Sequence, residues 1–280
     1  MQEEWDEIIR PKRGIFDLRL KEIWKYRDLL ALLVRRDFVS TYKQTLLGPV
    51  WYVFQAFFTA FAFTVVFQKI FGMYTEHVPA MLFYMSGLVC WNYFSQCLTK
   101  TSNTFVSNAG IFGKVYFPRL VVPISSIISN LIGFGIQLLF LIGIMIFYKI
   151  VDAEFHLTYM LFFVPFLILL MAIMGLGFGI IISSLSIKYR DFQHITSFGV
   201  QLLMFATPVM YPFHWIRGGL RFIMVLNPLT PIIEAFRYAF LGVGEFSYLS
   251  LTYSAVFSVS VLFMGIVMFS RYERNFIDVV

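Results

Sequence analysis

Charge is scarce in this chain. Only 14% of its residues are Asp, Glu, Lys or Arg, against 59% hydrophobic. A soluble domain could not hide that much apolar surface, and the long uncharged runs read as an all-α polytopic membrane protein. No acidic, basic or histidine side chain lies in the central part of any run long enough to cross a bilayer, which removes the intramembrane coupling sites of an ion-driven transporter. Glu234 and Arg237 come nearest, and their helical spacing lets them pair with each other. The four histidines, His77, His156, His194 and His214, fall in separate loops without ligand spacing. There is no phosphate-cradling glycine loop and no nucleophile with its base, so no catalytic, cofactor or metal site is expected. Cys90 and Cys97 lie in one apolar run, about 10 Å of helix rise apart and too far to bridge. The start, MQEEWDEIIR, is acidic and polar, unlike a cleavable signal peptide.

What is present is concentrated between Arg35 and Phe71. Arg35, Arg36 and Lys43 share a segment with Phe38, Val39, Leu46 and Leu47, a pattern suited to a helix lying along an anionic membrane face. Gly48-Pro49 then breaks the chain, and an uncharged run from Val50 to Phe67 is long enough to span. Trp51, Phe54, Phe58 and Phe61 recur at spacings of three and four, which puts them on one helical stripe beside Gln55. Two readings fit that stripe: packing against lipid or a neighbouring helix, or a greasy wall on which sugar C–H faces stack.

In chain order, residues 1–49 form an amphipathic interface segment. Residues 50–270 form a transmembrane domain with spans at about 50–68, 80–98, 119–148, 159–185, 195–211 and 249–270, and residues 271–280 form a charged tail. Residues 99–118 are polar and Gly-broken, a connecting loop with one short helix. Gly175, Gly179 and Ser183 make a small-residue face on the fourth span, suited either to a dimer interface or to packing within the chain. Residues 212–245, broken by Pro212, Pro228 and Pro231, read as two short helices dipping into the membrane between spans five and six, tolerable where protein or water covers their ends. With both termini in the cytoplasm, only Lys69, Lys149, Arg217, Arg221 and Arg237 of the 22 lysines and arginines fall outside. That asymmetry fixes the expected orientation.

Four blocks in order, YKQTLLGPVWYVFQ (Tyr42 to Gln55), NAGIFGKVYFPR (Asn108 to Arg119), SIKYRDFQHI (Ser186 to Ile195) and NPLTPIIEAFRYAFLG (Asn227 to Gly242), resemble the membrane subunits of type-2 ABC polysaccharide exporters. The likeness is strongest to the Wzm-type permeases that export O-antigen, and extends to capsule and teichoic-acid permeases. It implies a channel-forming homodimer in the bacterial inner membrane, paired with two copies of a separate ATPase that holds the ATP and Mg. The cargo implied is an undecaprenyl-linked polysaccharide; a teichoic acid, a capsule or a small molecule is the alternative. Membrane lipids are further partners, and nucleic acid is not one. By the same likeness Phe112, Lys114, Val115 and Tyr116 would dock in the ATPase, where the plain alternative is an ordinary polar loop. Lys188, Tyr189, Arg190 and Asp191 would sit at the second cytoplasmic turn, as docking residues or as a positive-inside anchor. Trp51, Tyr52, Phe54, Phe58 and Phe61 would line the pore, with Tyr42 at its entrance and the 208–245 pair as its far gate. Arg35, Arg36 and Lys43 would meet either the cargo's pyrophosphate or ordinary anionic lipid.

Overall fold

Gly48, at φ +53°, and Pro49 turn a surface helix into the bundle. The computed structural model describes residues 24–75, 78–108, 110, 117–186, 189 and 191–275, and among these every regular element is helical. The helices are α1 (Arg27–Tyr42), α2 (Val50–Phe63), α3 (Ala80–Ser102), α4 (Thr104–Ser107), α5 (Val121–Ile150), α6 (Val164–Ser186), α7 (Asp191–Phe205), α8 (Gly219–Leu226), α9 (Leu229–Leu241) and α10 (Tyr248–Asn275). A π-helical turn, Thr64–Ile70, prolongs α2, and 3₁₀ turns at Tyr159–Phe163 and Phe213–Trp215 precede α6 and α8.

Four stretches are long and apolar enough to cross a membrane: Val50–Ile70, Val121–Ile150, Tyr159–Ser186 and Tyr248–Arg271. The bent pair α8 and α9, turning by 84° at Asn227-Pro228, makes a fifth if it is one broken span. The expected second span, α3, has the length at 23 residues but a less apolar composition, and the reason is its position. It is buried on nearly all sides by protein, so it can carry Ser86, Asn92 and Gln96 where a lipid-facing helix could not. The Ser86 hydroxyl donates to the Phe83 carbonyl at 2.8 Å, and the Asn92 amide to Gln137 Oε1 on α5 at 3.3 Å. The expected fifth span, 195–211, is instead the 15-residue α7, which begins four residues earlier and ends before Pro208. A proline disfavours helical backbone in the residue before it. Asn227 then braces the turn, donating to the Ala206 carbonyl at 2.8 Å and to Thr207 Oγ1 at 2.9 Å.

Small residues set the order of the helices. A side chain at Gly175 or Gly179 would strike Cys97 or Thr101, so the small-residue face of α6 lies directly on α3. Ser183 completes it by accepting the Phe105 N–H at 3.4 Å. The face therefore serves packing within the chain. On the opposite side of α6, Gly177 meets the backbone of Leu262, and Gly265 of α10 meets the carbonyl of Gly177. The layer α3, α6, α10 is thus held by backbone-to-backbone approach, the means by which helices associate where no hydrophobic drive exists between them. Cys90 and Cys97 are buried free thiols within it.

Candidate functional site

Helix α1 is docked on the bundle. Leu33 is buried with Phe105, Phe117, Val121, Val122, Ile180 and Phe269, and Tyr26, Leu29 and Leu30 pack around them. This ties α1 to the ends of α5, α6 and α10 and to the short α4. Arg36 is held there: its guanidinium donates to Asp37 Oδ1 at 2.8 Å and to Asn108 Oδ1 at 3.3 Å. Asn108 in turn donates from Nδ2 to the Thr104 carbonyl at 3.0 Å. Arg36 is thereby engaged inside the chain, whereas Arg35 and Lys43 are exposed and available to an anionic group.

From the end of α1 a line of aromatic rings runs up α2. Phe38 and Tyr42 lie 5.2 Å apart and Tyr42 meets Tyr52 edge-on at 5.6 Å. Partial burial and the hydrogen bond with Tyr52 push the Tyr42 phenol well above its ordinary range, so it stays neutral and able to donate. Farther along, Trp51 and Phe54 are 5.9 Å apart, Phe54 and Phe58 5.2 Å, and Phe57 stacks on Phe61 at 6.4 Å. The spacing of three and four delivers one continuous face, as the sequence predicts. Trp51, Phe54, Phe58 and Phe61 retain 41–55% of their surface, so the described residues leave them largely uncovered. Tyr52 differs from the other four: its ring lies over Gly133 of α5, where an added methyl would come within 2.6 Å, and its carbonyl accepts the Gln137 amide at 3.1 Å. It anchors the wall more than it forms it.

Gln137 was not among the residues expected to matter. It links α2, α5 and α3 by donating to Tyr52 and accepting from Asn92, and its one sequence signal was an amide inside an otherwise greasy helix. Behind the wall, Ala56 and Ala60 are buried against the core, and Phe57 meets Phe140 edge-on at 6.0 Å. The exposed rings therefore sit on a helix whose other face packs on the core.

At the far end, the expected pairing of Glu234 with Arg237 holds. Arg237 is 0% exposed; Nη1 donates to Glu234 Oε1 at 3.0 Å and Nη2 to the Val209 carbonyl at 2.9 Å. The guanidinium lies 3.8 Å over the Phe83 ring, a desolvated cation–π contact. Glu234 Oε2 accepts the Glu245 N–H at 3.0 Å, next to Gly244 at φ +117°. One ion pair so fastens α9 to α3, to the turn after α7 and to the entry of α10.

At the turn between α6 and α7, Tyr189 is exposed and Asp191 opens α7, where its carboxylate faces the positive end of the helix dipole. Phe112, Lys114, Val115, Tyr116, Lys188 and Arg190 lie outside the described residues.

Residues 28–241 match the ABC-2 type transporter family. An O-antigen export system permease protein RfbA of Klebsiella pneumoniae is 26% identical over 253 residues, 90% of this chain and 95% of the relative. An RfbA of Myxococcus xanthus is 25% identical over 223 residues, 79% and 83% of the two chains. A polysialic acid transport protein KpsM of Escherichia coli is 24% identical over 243 residues, 86% and 92%. The family match runs from the docked α1 through the aromatic wall to the end of α9. The chain belongs to the ABC-2 type transporter family.

Proposed function

We propose that this chain is the membrane-spanning half of an ATP-driven exporter that passes a lipid-linked, O-antigen-like polysaccharide from the cytoplasm across the bacterial inner membrane. The observation that carries the reading is the exposed aromatic wall of α2, free of fixed charge along its length. A hydrated polymer must be held without being gripped at any one sugar. Rings give weak, repeated stacking, and a charge would trap it. Relatives named for O-antigen export and for polysialic acid transport support a glycan cargo.

In this reading two copies of the chain join walls to form the channel, with both termini in the cytoplasm. The chain crosses six times: α3 and α7 add to the four long apolar stretches, and the bent α8 and α9 re-enter from the outer side as a gate. At 23 residues α3 reaches about 35 Å, enough for a roughly 30 Å core, whereas α7 reaches about 22 Å and needs the turn above it. Arg35 and Lys43 meet the pyrophosphate of an undecaprenyl carrier at the entrance, beside the neutral Tyr42. Two ATPase subunits dock on Phe112, Lys114, Val115 and Tyr116, assisted by Lys188, Tyr189, Arg190 and Asp191.

Phe58→Ala together with Phe61→Ala lowers surface polysaccharide roughly tenfold, the equivalent of about 1.4 kcal/mol of lost transit stabilisation, while the complex with the ATPase still purifies intact. Normal surface polysaccharide in that strain would remove the wall from the pathway. Lys114→Ala with Tyr116→Ala releases the ATPase from a two-plus-two complex on co-purification. Retention of the ATPase by that variant would put the docking contact elsewhere.

A further inference from the structure

At the end of the bundle opposite α1, a cleft of about 760 Å³ opens between three separate segments. That volume falls within the roughly 300–1,000 Å³ of ordinary small-molecule sites. Its rim carries Gln68 from the end of the first apolar stretch, Tyr74 from the loop that follows it, Glu154 from the link between α5 and α6, and His214 with Trp215 from the 3₁₀ turn before α8. Thr75 and Val78 form the floor, and the Thr75 hydroxyl is committed to the Val78 carbonyl at 2.7 Å, so the floor is set by the chain itself. The Trp215 side is equally braced. Phe213 is buried beneath the turn, Arg221 lies 5.1 Å over its ring, and Arg221 is bound to Glu245 at 3.0 Å.

We propose that this cleft is a second carbohydrate site, separate from the α2 wall, that holds uncharged sugar units of the glycan at the outer end of the protein. The inference rests on the polysaccharide-export reading and names a site which that reading does not use. Two exposed aromatic faces, Tyr74 and Trp215, offer stacking for the C–H side of a pyranose. The Glu154 carboxylate and the Gln68 amide stand beside them as partners for ring hydroxyls, the few convergent polar groups that orient a ligand. No lysine or arginine lies among the described lining residues. An anionic sugar or a lipid phosphate would therefore meet the Glu154 carboxylate with no lysine or arginine among the described lining residues to offset it. The chemistry selects a neutral, hydroxyl-rich ligand.

The test places the photo-crosslinker p-benzoylphenylalanine at Tyr74, at Trp215 and, for comparison, at Phe58, in the full exporter in living cells that make the surface glycan. Irradiation is expected to attach glycan at positions 74 and 215 as well as at 58, and acid hydrolysis of the outer adducts to release neutral sugars. Trp215→Ala introduced beside the crosslinker at 74 lowers capture there about tenfold, with the complex still assembled. Capture at 58 with none at 74 or 215 would overturn the outer site and leave the export reading standing. Uronic or sialic acid in the outer adducts would overturn its preference for uncharged sugars. Surface glycan that persists when the whole chain is deleted would overturn the export reading itself.

Discussion

Arg237→Ala costs the protein about 3–5 kcal/mol, the usual penalty for removing one partner of a buried ion pair. The expected observation is a sharp loss of monodisperse protein on heating in detergent, or failure to accumulate at all. The size of the effect follows from what the guanidinium does at once. It neutralises Glu234, satisfies the Val209 carbonyl in a turn with no helical partner for it, and covers the face of Phe83. Alanine leaves the Glu234 carboxylate buried without its guanidinium and opens a void beside Gly87, where an added Cβ would lie 2.6 Å from Nη2. Arg237→Lys recovers only part of the loss, because a point charge cannot serve Glu234 and Val209 together as the planar fork does. The control is Glu234→Gln with Arg237→Met. Removing both charges takes away the desolvation cost as well as the attraction, so the double variant is expected to be more stable than Arg237→Ala alone. An Arg237→Ala protein that melts with the parent would show that the pair holds nothing.

The pair also shows what a sequence can and cannot disclose. Its helical spacing was legible, because i and i+3 are neighbours on any helix. Val209 and Phe83 were not, since they arrive through the turn after α7 and through α3, and nothing in local pattern encodes who meets across a bundle. The aromatic wall was legible for the same reason as the pair: Trp51, Phe54, Phe58 and Phe61 share a face whatever surrounds them. That Tyr52 would instead turn inward onto Gly133 was not, because its neighbour is set by how α2 leans on α5. The long apolar stretches were readable from composition. The interior place of α3 was hidden, since apolar runs look alike whether lipid or protein is the solvent, and the polar Ser86, Asn92 and Gln96 were its one mark. Helix ends were least legible where tertiary contacts set them, as with the turn after α7 that Asn227 stabilises.

Gly177→Val is expected to cost at least the 1–3 kcal/mol typical of overpacking, and it tests whether the α3, α6, α10 layer can give way. A Cβ at Gly177 would sit 2.7 Å from the Leu262 nitrogen and 2.9 Å from Leu262 Cα, both backbone atoms that cannot rotate aside. Relief would require α6 to withdraw from α10. On its other side α6 already touches α3, where Gly175 and Gly179 leave no room against Cys97 and Thr101, so the helix is clamped between two contacts of the same kind. The matching control is Gly143→Val in α5, also mid-helix, where nothing lies within 4 Å of the added atom. That variant carries the same change in backbone propensity without the collision, so the difference in melting temperature between the two isolates the crossing. Of the long apolar stretches the one containing α6 is the most buried and the one containing α2 the least. A large difference would therefore assign the motion of an export cycle to α2 and the elements around it, turning against a fixed layer. Equal melting of the two variants would mean that α6 and α10 part easily, and that the layer itself is free to move.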